Sequence, residues 1–170
     1  MGNRIKIFLL AFAMTISLLV TGFILPQDVS AERAGSFAGT WIASGQRQAF
    51  DFVEGREVST FRLTGHVNLQ DDIGEVRDYW AECIGLSDSL TGGSARCVWR
   101  SMEGDKAYIV LSGRPLEQRV KVTGEFVGGT GSLQDIEGTF TYTWSSVFIN
   151  KNQGVFTGQT KDLMGSYKIP

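Results

Sequence analysis

The sequence predicts an all-β chain, a single closed antiparallel barrel of about eight strands preceded by a secretory signal peptide. Three observations lead there. From Glu32 onward no stretch holds a helical apolar period, whereas strict apolar–polar alternation recurs along the chain. Glycine supplies 21 of the 170 residues and proline only 3, a usage suited to many strands joined by tight turns. The apolar face that alternation defines is rich in aromatic rings. A sandwich has the same strand density. The barrel is preferred because closure leaves no edge strand to aggregate.

The chain divides into a leader, residues 1–31, and a barrel domain, residues 32–170. Arg4 and Lys6 open the leader, an apolar run from Ile7 to Leu25 follows, and Pro26 and the small residues Val29-Ser30-Ala31 close it. This is the layout of a cleaved signal, with the cut expected after Ala31. The competing reading is an uncleaved anchor, because about 19 apolar residues would just span a bilayer. Export to the periplasm or the medium follows from the cleaved reading.

The strands follow in order. Phe37, Gly39, Trp41 and Ala43 share one parity, and Phe50 and Phe52 another. Between Ser59 and Leu69, the residues Phe61, Leu63, Gly65, Val67 and Leu69 form one face and Arg62, Thr64, His66 and Asn68 the other. Tyr79–Gly85 and Ala95–Ser101 flank the turn signal Thr91-Gly92-Gly93. A strand is expected over Ala107–Ser112. In Arg119–Val127 the alternating apolar residues are Val120, Val122 and Phe126. In Thr139–Phe148 they are Phe140, Tyr142, Trp144 and Phe148. The last strand is expected over Val155–Lys161.

Cys83 and Cys97 are the only cysteines. If their strands pair around Gly92-Gly93, the two thiols face each other and meet disulfide geometry in an oxidising compartment. Two buried free thiols are the alternative. The spacing is not that of a C-x-x-C redox pair.

The charge balance, 16 basic against 18 acidic residues, excludes a polybasic nucleic-acid binder and an acidic disordered tail. One histidine and two cysteines leave too few soft ligands for a zinc or haem site. No metal, cofactor or nucleic-acid partner is expected, and no membrane once the leader is removed.

Few residues offer chemistry. His66 falls on the polar face, which leaves histidine-based hydrolysis without its base. Gly128-Gly129-Thr130-Gly131 lacks the Lys-Ser/Thr ending of a phosphate loop and precedes a strand, so it reads as a tight corner. Asp71, Asp72, Glu75 and Asp78 lack calcium-loop spacing and read as a solvated turn. The cysteine hairpin sets Trp80, Glu82 and Arg100 together on the face opposite the thiols. Turned outward, they form an ordinary surface cluster, the preferred reading. Turned inward, Glu82 and Arg100 would be the weak candidates for an acid–base site. Trp41, Phe61, Phe140, Tyr142 and Trp144 either line a cavity for a flat apolar ligand or fill the core.

The stretch Gly124-Glu125-Phe126-Val127-Gly128-Gly129-Thr130-Gly131-Ser132-Leu133, continued by Ile136-Glu137-Gly138-Thr139-Phe140, resembles a signature of the allene oxide cyclase and dirigent-like barrels. The resemblance implies an eight-stranded antiparallel barrel with an apolar cavity, often assembled into homo-oligomers. Its members include an isomerase that cyclises an unsaturated fatty-acid epoxide and proteins that steer radical coupling of phenols. The catalytic residues of neither have a counterpart here, so activity is not carried over. Gly39-Thr40-Trp41 is similar to the Gly-x-Trp of lipocalin and avidin-like barrels, where the Trp closes one barrel end.

The expectation is an exported barrel that binds a small apolar ligand or serves an envelope interaction without catalysis. The alternatives are a cyclase or isomerase that works by shaping its substrate, and a structural protein that uses the barrel exterior.

Overall fold

A computed structural model describes residues 32–117 and 119–170, so the predicted leader and its cleavage site lie outside the described residues. Eight strands follow one another: β1 (Arg33–Val53), β2 (Arg56–Asp71), β3 (Val76–Asp88), β4 (Gly92–Ser101), β5 (Lys106–Leu116), β6 (Arg119–Gly129), β7 (Glu137–Asn150) and β8 (Val155–Ile169). Each pairs antiparallel with its chain neighbours, and β8 returns to β1, so the sheet closes into an up-and-down barrel. Among the described residues the one helical element is a short 3-10 turn, Gly131–Leu133. Closure pairs each strand on both sides within the barrel wall.

Alternation drives this arrangement. In β2, Leu63, Gly65, Val67 and Leu69 are buried and their neighbours face solvent or lie half-buried. Tyr79, Ala81 and Cys83 of β3 point inward and face Ser101, Trp99 and Cys97 of β4. Cys83 and Cys97 form a disulfide with Cα atoms 4.1 Å apart. The bridge lies in the core, with 1% and 3% of the two residues exposed.

Bulges change which parity faces inward. On β8 the pairing slips between Gly39 and Ile42 of β1, and Asp162 takes a positive φ of 54°. Thr160 is buried before the slip and Leu163 after it. The extra residue turns the strand over, which carries β8 on to Ile169, past the expected end at Lys161. On β7 the pairing slips between Ser146 and Phe148. Phe148, expected inside with Phe140, Tyr142 and Trp144, is therefore outside and 54% exposed. On β6 the slip falls at Gly128, whose φ is 127°.

The connections β2–β3, β4–β5 and β6–β7 turn at one end of the barrel, where β1 begins and β8 stops. The four hairpins β1–β2, β3–β4, β5–β6 and β7–β8 turn at the other.

Candidate functional site

The two ends differ in what fills them. At the end holding the β6–β7 connection, Trp99, Phe126, Phe140 and Phe37 make an aromatic plug. The Trp99–Phe140, Phe126–Phe140 and Phe37–Phe126 centroids are 5.1, 5.2 and 6.1 Å apart. Leu133 and Ile136 cover it from the connection, and only about 30 Å³ of void remains. Gly128-Gly129-Thr130-Gly131 makes the corner that brings Leu133 there. Lys106 donates its backbone N–H to the Thr130 hydroxyl at 3.0 Å, and Ser132 donates to Asp105.

At the hairpin end the barrel opens into a cavity of about 420 Å³. Its lining includes Trp41, Tyr142 and Cys83, with Phe61, Trp144 and Leu111 beside them. Trp41 meets Tyr142 edge to face at 5.9 Å and Trp144 at 5.4 Å. The Trp41 backbone N–H donates to the Thr160 hydroxyl at 2.8 Å, which anchors β1 against β8 across the bulge. Glycines make room for these rings. A Cβ on Gly158 would lie 2.4 Å from the Trp144 ring, and one on Gly85 2.5 Å from Phe61. Small residues, Gly93, Ala95 and Gly113 among them, line part of the remaining wall beside larger ones such as Leu63, Val122 and Phe156, and where they stand their lack of bulk leaves space open.

Charge is confined to the mouth. Arg47 is paired with Glu57 at 2.9 Å. Asp88 accepts from Arg56 and from the backbone N–H groups of Leu90 and Thr91. These donors hold the Asp88 carboxyl well below the ordinary aspartate range, so it is a fixed anion and a poor proton acceptor. Deeper in, burial pushes the Tyr142 hydroxyl far above its ordinary value. It remains protonated at any physiological pH and is a donor, not a base. Asp88 and Tyr142 are therefore poor bases, and Glu117, at the mouth with Arg119, is the other carboxylate of the described lining.

The structure brings Trp41, Phe61, Tyr142 and Trp144 together around the cavity. Phe140, grouped with them by parity, lies in the plug instead, 1% exposed. Glu82 and Arg100 are on the outer face with Trp80, which is half exposed. Arg100 does face Trp80 across the ladder. The ion-pair partner of Glu82 is Arg62, at 3.8 Å, rather than Arg100. His66 is also outside, 3.3 Å from Asp78. The acidic loop is a self-braced turn. Asp71 accepts from the backbone N–H groups of Ile73 and Glu75, and Asp72 accepts from Ser36. Sequence reading missed Arg47, Ser59, Phe156 and Ile149 as lining residues. The parity of Trp41, Ala43 and Gly45 extends to Arg47 and would have found it. The bulge on β7 hid Ile149.

No family model matches the chain, and no curated protein matches it. Among solved structures, a pterocarpan synthase dirigent protein is similar over 81% of this chain and 92% of its own, at 10% identity and a TM-score of 0.39. A likeness that distant carries no argument about activity. The eight-stranded closed barrel stands on this chain's own strand order. The allene oxide cyclase part of the resemblance gains no support.

Proposed function

We propose that this chain is an exported binding protein that holds a small apolar molecule in the open end of its barrel and does no proton-transfer chemistry on it. The observation that carries the reading is the cavity of about 420 Å³ walled by Trp41, Phe61, Tyr142 and Trp144. Such a concave, mainly apolar site with a few polar groups at its mouth suits a ligand with an apolar body. The buried disulfide supports an oxidising compartment. The outward position of Glu82 and Arg100 withholds from the cyclase alternative the buried pair that would have supported it, while a cyclase that works by shaping its substrate does not require that pair.

The test is native mass spectrometry of gently purified protein, repeated after denaturation. Extra native mass that leaves on denaturation is expected. The cavity-filling variant Leu111→Trp should lose that mass while keeping the circular dichroism of the parent. Retention of the ligand by Leu111→Trp would place it elsewhere and overturn the reading.

A further inference from the structure

We infer that the hairpin end of the barrel docks on a zwitterionic phospholipid surface, with the apolar tips of its hairpins entering the headgroup layer. All four hairpins turn at the end where the cavity opens. Their exposed apolar side chains include Phe50, Phe52, Leu90, Leu116, Val147 and Phe148, each 46% to 69% exposed. Over a comparable reach the plugged end exposes Ile73, Val76, Met102 and Val127, with Tyr108 38% exposed and Trp80 farther up the wall, against the three phenylalanines of the hairpin end. Scattered apolar residues are ordinary on a surface. A ring of them around one opening marks a contact surface, and aromatic rings favour the membrane–water interface.

Shape and charge select the occupant. The last residue of β1 to pair with β8 is Gln46, and beyond it Gln48–Val53 pairs with β2 alone. The aromatic hairpin thus stands clear of the barrel wall, a form that inserts into a soft layer rather than packing on a flat protein face. Two-stranded hairpins are marginal in water by themselves, and burial of Phe50 would steady this one. The tips carry both signs, Asp51, Glu54, Arg56 and Glu57 on the first hairpin, Arg114, Glu117 and Arg119 on the third and Lys151 on the fourth. That pattern complements a headgroup bearing an ammonium and a phosphate. It presents no single-sign patch that would select anionic lipid. Docking departs from the expectation of a chain without a membrane partner, and it stands independently of the ligand. That the bilayer supplies the ligand rests on the proposed function.

The test uses protein beginning at Glu32, because the barrel closes within Arg33–Ile169 and an uncleaved leader would itself bind lipid. Phosphatidylcholine vesicles are floated with the parent, with Phe50→Ser/Phe148→Ser, and with Ile73→Ser/Met102→Ser. The parent should float, the first variant should lose roughly tenfold or more in partitioning, and the second should match the parent. A parent that stays in solution overturns the inference. So does equal loss in the second variant, or binding that needs anionic lipid and vanishes in high salt. A rim-dependent dimer that ignores vesicles would assign the surface to a second copy instead. If the serine pair does not fold, Phe50→Trp supplies the readout. Its added emission should shift to the blue and be quenched by brominated phosphatidylcholine, and unquenched emission overturns docking. Uptake of N-phenyl-1-naphthylamine from solution separates the two proposals. Uptake without flotation defeats docking alone, and flotation without uptake defeats the ligand reading alone.

Discussion

The ring of Phe140 lies between two glycines, Gly124 on β6 and Gly165 on β8, its direct partners across the ladder. A Cβ on Gly124 would sit 2.2 Å from the ring, and one on Gly165 2.4 Å from the Phe140 Cβ. The glycines lose backbone entropy on folding, and the ring covers the space they leave. Phe140→Ala should therefore cost about 3–5 kcal/mol in urea unfolding, and Gly124→Ala about 1–3 kcal/mol by overpacking. Losses near zero in both would mean that the plug rearranges freely. Parity showed that Phe140 points inward but not how deep it lies. Each pair of residues moves about 6.8 Å along a strand, so Phe140, Tyr142 and Trp144 share a face yet stand at different heights. Height depends on the stagger of all eight strands, which no local pattern carries. A second residue-scale prediction concerns Asp88, whose folded-state pKa is depressed by Arg56 and the turn amides. A depressed carboxylate contributes stability that is present above its unfolded value, ordinarily 3.8. That stability is lost as pH falls through the folded value. Asp88→Asn should flatten the acid limb of the stability curve below about pH 4. An unchanged limb, measured by urea unfolding at stepped pH, would rule the pair out as a contributor.

At the scale of the strand, the legible parts were those without bulges. β2, β3 and β4 keep one parity through the barrel, so alternation defined their two faces, and the turn at Gly92-Gly93 set Cys83 opposite Cys97; which face of the cysteine hairpin points inward was left open by parity. β7 and β8 change parity at bulges, and there the sequence reading lost Phe148, Ile149 and the last eight residues of β8. A bulge adds one residue without a compositional mark. Gly128 was read as part of a tight corner and not as a bulge, and Asp162 had no glycine to mark its own. Aspartate tolerates the left-handed region better than most side chains, because its short carboxylate can bond locally. The bulge at Asp162, with φ 54°, should accept Gly with little change. Asp162→Val should lose about 1–3 kcal/mol, since a β-branched side chain is strained there. Denaturant midpoints for the two variants decide it, and equal midpoints would show that the positive φ places no demand on the residue.

For the whole molecule, the disulfide joins what the two ends do. Cys83 lines the cavity, while Trp99, two residues beyond Cys97, belongs to the plug. The bridge thus ties β3 to β4 between a dense end that holds the barrel together and an open end whose aromatic walls surround a cavity. Walls around a void pack on one side only and contribute less than a filled core does. The open end depends on the plug and on cross-links to stay closed against local opening. Cys83→Ala/Cys97→Ala should lower stability by about 3 kcal/mol, as expected for a closed loop of this length. The pattern of loss discriminates more than its size. If the bridge props the open end, amide exchange should quicken most in β3 and β4 and in the hairpin tips, while the amides of Phe126 and Phe140 stay the slowest in the chain. If the bridge stabilises only by restricting the unfolded chain, every amide that exchanges through global unfolding should quicken by one common factor, Phe126 and Phe140 included, and the tips should not change. Exchange measured by nuclear magnetic resonance on the parent and the double variant separates these two outcomes. The first would mean that the entrance to the cavity is held open from its floor.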